Sequence, residues 1–142
     1  PLPKPVKRID GLSVRDFLEK HQELLKLEVV AGKRGLRRII KEGSVNRPSL
    51  ALTGFYKYFA NKRLQVIGAA EMTYLRSLPK EVVHERFNTM ISKGIPCLII
   101  ARNYNPLPVM LELAEKRSLP ILRTSMITMN FLNAATLAVD GE

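Results

Sequence analysis

Apolar positions along the chain change spacing from one stretch to the next, and each change marks an element. Residues 1–11 read as a flexible or extended lead-in. Ser13 then opens a helix, with Asp16 three residues on as a weaker capping box. Val14, Phe17 and Leu18 follow helical spacing, and Leu24 and Leu25 extend the same face. Leu27 to Ala31 form an apolar, partly β-branched run ended by Gly32, which predicts a strand. Leu36, Ile39 and Ile40 suggest a second short strand, reached through a turn at Gly32 to Gly35. These two strands are expected to form a hairpin or an antiparallel edge.

From Leu64 onward strands and helices alternate. Leu64 to Gly68 reads as a buried strand and Ala69 to Leu78 as a helix. Pro79 restarts a helix that runs to Gly94, with Val82, Val83, Phe87, Met90 and Ile91 at helical spacing. Ile95 to Ala101 is the most continuous apolar run, and its lack of alternation suits a strand covered on both faces. Asn103 to Pro106 is a loop signal. Leu107, Met110, Leu111 and Ala114 make a helical stripe, with Lys116 and Arg117 in its last turn. Leu119 to Arg123 is a further short strand. Ser125 to Val139 is a final helix with Ile127, Phe131, Leu132 and Ala135 inward. The alternation predicts one α/β domain over residues 12–139, built of three layers with a mainly parallel sheet.

Asn46 to Phe55 breaks the pattern. Pro48 suits the first turn of a helix, which leaves Arg47 just outside it. Leu50 to Leu52 are good helix formers, and Gly54 is placed as a left-handed stop. Such a helix start beside an arginine attracts anions. Asn46, Arg47, Ser49 and Thr53 are therefore candidate anion, ligand or interface residues. The alternative is a linker helix that packs Leu50 and Leu52 into the core.

Composition narrows the classes. The chain has 142 residues, 46% hydrophobic, which is enough for one domain with a core. No apolar run approaches the length that spans a bilayer, and the proline-rich start is no secretory signal, so no membrane association is expected. A single cysteine, Cys97, excludes an internal disulfide framework and fits a reducing, cytoplasmic compartment. Lysine and arginine total 23 against 13 acidic residues, a formal net charge of +10. The charge is densest at Lys33, Arg34, Arg37, Arg38 and Lys41, a candidate basic surface. A net charge of that size can bind nucleic acid, an anionic membrane surface or an acidic protein. The aromatics Phe55, Tyr56, Tyr58 and Phe59 are not interleaved with it, which argues against a base-stacking platform.

Catalytic chemistry is not legible. The chain has no glycine-rich phosphate loop of either common type. His21 and His84 lack ligand spacing for a metal, and His84 reads as a surface residue. Cys97 lies in the most buried predicted strand, where a thiol behaves as a small hydrophobe. Catalytic, cofactor and metal residues are expected to be absent from this segment.

Arg47-Pro48, Leu50 to Phe55, Tyr58-Phe59, Arg63 to Gln65, Gly68, Glu71 and Tyr74-Leu75 resemble the N-terminal domain of bacterial HPr kinase/phosphorylase. Ser13-Val14, Leu27 to Gly32, Ile95-Pro96 with Leu98 to Ile100, Pro108, Ala114 and Pro120 to Thr124 continue the pattern over about residues 12–138. The resemblance implies a parent that transfers phosphate from ATP to a serine of the phosphocarrier HPr, and reverses this with inorganic phosphate. ATP and magnesium would be bound by a C-terminal domain with its phosphate loop, expected beyond residue 142. It also implies a homo-hexameric parent and a fold similar to the murein-ligase N-terminal domain. This segment would then be the parent's non-catalytic regulatory or assembly domain. A ligand-sensing or protein-interaction module is the alternative, and a nucleic-acid-binding domain a weaker one.

Overall fold

A five-stranded sheet buried on both faces carries the fold. The structure is a computed structural model that describes residues 6–142. In chain order the elements are β1 (Arg8–Ser13), α1 (Val14–His21), β2 (Leu27–Ala31), a 3-10 turn (Lys33–Gly35), β3 (Ile39–Glu42) and β4 (Val45–Asn46). Then come α2 (Ser49–Leu52), β5 (Leu64–Ile67), α3 (Ala69–Arg76), α4 (Lys80–Ser92) and β6 (Leu98–Ile100). The chain closes with α5 (Pro108–Arg117), β7 (Ile121–Thr124) and α6 (Thr128–Asp140). The large sheet has the order β2-β7-β6-β5-β4. Its pairs are parallel except β2, which runs antiparallel along β7. The expected α/β domain with a mainly parallel sheet is therefore present.

Side chains of the central strands point alternately to two cores. Ile67, Leu98, Ile100 and Ile121 join Leu52, Met72, Val83, Phe87, Met110 and Leu113 from α2 to α5. Leu64, Val66, Ile99 and Leu122 join Val14, Phe17, Phe131 and Ala135 from α1 and α6. This gives the three layers. Each fully buried Ile or Leu stabilises by about 1.5–3 kcal/mol relative to exposure, so apolar runs without alternation belong in such strands. Ile95 to Ala101 is buried throughout, although its regular strand covers only Leu98–Ile100.

Several local expectations need correction. Residues 8–11 are not a flexible lead-in: Arg8–Ser13 is a strand paired antiparallel with β3, and residues 1–5 of the lead-in lie outside the described residues. β2 and β3 form no hairpin. β2 takes β7 and β3 takes β1, so consecutive strands enter different sheets. The β2–β7 pair is nonetheless the antiparallel edge. α1 ends at His21, and Leu24 beyond it is exposed while Leu25 is buried. Ile127 is the exposed residue that precedes α6, not an inward one. Pro48 sits one position before the first residue of α2, and Leu50 is exposed while Leu52 is buried. Gly54 does adopt the left-handed conformation, at φ 97°.

The turn between β2 and β3 touches backbone directly. A Cβ at Gly32 would stand 1.8 Å from the carbonyl oxygen of Leu119, and one at Gly35 1.9 Å from that of Ser118. Only residues without side chains allow that approach. Gly35→Ala should therefore cost about 2–3 kcal/mol of stability by forcing the turn off the end of α5. Gly141→Ala, whose Cβ meets nothing closer than 3.6 Å, should change stability by less than about 0.5 kcal/mol. Urea unfolding of the two variants measures the contrast, and equal midpoints would remove the steric explanation.

Candidate functional site

β4 and β5 run parallel, so both end at the same edge of the sheet. That places Asn46 and Arg47 beside Gly68, where α3 begins. Glu71 occupies the first turn of α3 and is 4% exposed. Arg47 donates to it from Nε, 2.9 Å to Oε2, and from Nη2, 2.6 Å to Oε1. The Ser49 hydroxyl donates to Oε2 at 3.2 Å, and the Gly68 amide to Oε1 at 3.0 Å. One carboxylate thus collects donors from the β4–α2 junction and caps α3. The first turn of α6 presses on the same point: a Cβ at Gly68 would meet the Thr128 hydroxyl at 2.3 Å.

Burial acts to raise the Glu71 carboxyl. The hydrogen bonds from Arg47 and Gly68, with the Arg47 charge, outweigh it and hold the group below its usual value. The donors expected to await an anion therefore already hold one, supplied by the chain. A bidentate guanidinium–carboxylate fork in a partly dry setting is strong and directional. The Arg47 side chain keeps 39% of its surface exposed, so one edge of the fork faces solvent.

The other predicted residues divide. Asn46 donates to Gln65 Oε1 at 2.8 Å, and Gln65, fully buried, donates to the carbonyls of Ala60 and Arg63. Asn46, Arg47 and Ser49 are thus brought together, but in structural bonds. Thr53 does not join them, because its hydroxyl turns back to the Leu50 carbonyl at 2.6 Å. The sequence reading misses Glu71 as the centre. Its signal is position, three residues after Gly68, where a carboxylate returns to the amide that starts the helix.

Of the expected basic surface, Lys33, Arg34, Arg37 and Lys41 are exposed. Arg38 is not part of it. Its guanidinium donates to the carbonyls of Ser118 at 2.8 Å, Ile95 at 3.0 Å and Arg117 at 3.1 Å. Two of these close the C-terminal end of α5, where carbonyls lack helical partners. Burial, and then the nearby Arg117 charge, lower its pKa.

Cys97 is fully buried, and burial pushes its thiol up to about 12, which removes thiolate chemistry at neutral pH. His84 is exposed on α4. Among the described residues, no three His, Cys, Asp or Glu side chains converge to hold a metal ion. Nor is any helix there long and apolar enough to cross a membrane.

Residues 12–138 match the family model for the HPr serine kinase N terminus. Among curated proteins, the HPr kinase/phosphorylase of Leptospira biflexa is 32% identical over 132 residues, covering 93% of this chain and 41% of the relative. That of Clostridium novyi is 39% identical over 131 residues, covering 87% of this chain and 41% of the relative. The chain thus spans about two fifths of the length of these relatives. Among solved structures, the CBS and DRTGG domains of the regulatory region of a Clostridium perfringens pyrophosphatase align with a TM-score of 0.59 and 13% identity. The alignment covers 92% of this chain and 51% of that one, which is a likeness of fold.

The Glu71 cluster gives a pH test. Its folded pKa is depressed, so its contribution is present above the unfolded value and is lost as pH falls through the folded one. Glu71→Gln should be about 2 kcal/mol less stable at pH 7, and its stability should fall less steeply below about pH 4.5. Parallel acid limbs in urea unfolding series of the two proteins would show that Glu71 is not the group.

Proposed function

The chain belongs to the HPr serine kinase N-terminal family, and we propose that it is the non-catalytic regulatory or assembly domain of a bifunctional HPr serine kinase/phosphorylase. The parent would phosphorylate the phosphocarrier HPr on serine with ATP and remove the phosphate with inorganic phosphate, in control of carbon metabolism. ATP and magnesium belong, on this reading, to a C-terminal kinase domain of the same polypeptide. The parent assembles as a homo-hexamer in the cytoplasm, where the lone buried Cys97 fits a reducing milieu.

The observation that carries the reading is the match over residues 12–138 in a chain that aligns with 41% of its relatives' length. The engagement of the polar groups supports the non-catalytic part. Arg47 and Ser49 are held by Glu71, and Arg38 by three carbonyls. A phosphoryl-transfer site instead needs preorganised donors aimed at the phosphoryl group and a bound metal ion. The 142-residue chain, incubated with ATP, magnesium and HPr, should transfer no phosphate to HPr. Transfer by a clean preparation, followed with radiolabelled ATP, would overturn the assignment.

The exposed cations Lys33, Arg34, Arg37 and Lys41 favour an added role as a face for an acidic protein surface. None of the four is ion-paired with a carboxylate among the described residues. A fluorescent DNA duplex should show no saturable binding at about 50 mM salt, where phosphate contacts are strongest. Saturable binding that weakens steeply with added salt would favour nucleic acid over protein.

A further inference from the structure

A second site lies at the same edge of the sheet, away from Glu71. The loop after β6 leads to Leu107 and Pro108 at the start of α5, and this start faces the corner between α3 and α4. Between them is a cavity of about 380 Å³. Its walls are Leu75, Leu78, Val83, Leu107 and Val109, and the cations Arg76 and Lys80 stand at its rim. No acidic side chain lines it. Arg76 is steadied over the Tyr104 ring, its Cζ 5.4 Å from the ring centre. Neither Arg76 nor Lys80 is ion-paired among the described residues.

These features point the same way. Cavities of this size suit small molecules, and open α/β sheets take ligands outside the carboxyl ends of their strands. The apolar walls exclude a bare inorganic anion as the full occupant. Two unpaired cations repel a cationic body and add an attraction for an anionic head that a neutral one lacks. The first turn of α5 also carries no side-chain cap at Leu107, so its positive end adds to the same potential.

We propose that this cavity binds a small amphipathic anion, with its apolar body against Leu78, Val83 and Leu107 and its carboxylate or phosphate head between Arg76 and Lys80. Every residue that lines the cavity belongs to this chain, so the inference does not rest on the kinase reading. Both heads share the chemistry, and the test separates them.

Octanoate, hexyl phosphate, inorganic phosphate and octanol would each be titrated into the 15N-labelled 142-residue chain. Amide shifts of Leu75, Leu78, Val83 and Val109 should saturate with octanoate or with hexyl phosphate, and the stronger of the two identifies the head group. Inorganic phosphate and octanol should give no saturable shift at these positions. The exposed rim variant Arg76→Gln/Lys80→Gln, with its melting temperature checked, should weaken the better ligand by about tenfold or more. Arg34→Gln/Arg37→Gln, on the basic face, should leave it unchanged. The proposal fails if neither amphiphile saturates, if octanol binds as well, or if the rim variant binds as tightly as the parent sequence. It also fails if only an acidic amphipathic peptide shifts these residues.

Discussion

Arg38 ties together three parts of the chain that are distant in sequence. Its guanidinium fills the gap where the 3-10 turn, the end of α5 and the residue leading towards β6 meet. Three main-chain carbonyls in three directions need a rigid, planar donor that stays charged, and lysine offers only a compact point charge. Taking that cation partly out of water costs free energy, as its lowered pKa records. The three bonds offset the cost, and two of the carbonyls would otherwise close α5 without partners. Gly32 and Gly35 make the contact possible by letting the turn lie on the Ser118–Leu119 backbone. The Gly32 amide in turn donates to the Glu115 carboxylate at 2.7 Å, a second tie between the turn and α5.

Glu71 plays the matching part at the other edge. It gathers Arg47, Ser49 and the Gly68 amide, so the short α2 is fastened to α3 through a side-chain bridge rather than through a long buried interface. The stretch from Arg47 to Phe55 is thus organised by its own architecture. Cations without a carboxylate partner among the described residues lie elsewhere, in the turn and β3 and at the rim of the cavity beside α3 and α4.

Elements with dense apolar periodicity were legible in the sequence. Phe87, Met90 and Ile91 gave α4, and the run from Ile95 gave the two-faced strand, because burial alone decides them. β1 was not legible. Ile9 and Leu12 are its buried positions, and Gly11 between them takes φ 74°, which breaks the alternation a strand should show. The β2–β3 hairpin failed because strand pairing is chosen by distant partners, β7 and β1, that no local window contains. Arg37 and Arg38 are indistinguishable neighbours in sequence, yet one is exposed and the other is built into the core's edge. The difference lies in distant carbonyls, since Arg38 reaches Ile95, Arg117 and Ser118 across separations of 57, 79 and 80 residues. Glu71 sat at a recognisable helix position, but its pairing with Arg47 follows from β4 lying parallel to β5, and a two-residue strand leaves almost no pattern.

The β2–β7 pairing sets an order on the protein's birth. The first strand of the large sheet to leave the ribosome, Leu27–Ala31, has its one neighbour among the described residues at Ile121–Thr124, about 90 residues later. At the usual pace of about 5–20 residues per second, that strand waits roughly 5–20 seconds for its partner. During the wait, β4, β5 and β6 can already pair in order and be covered by α2 to α4. This order of emergence lets the sheet grow from its β4 side, with β2 able to join only once β7 is made. Until β7 is made, the β6 edge of the sheet stays open.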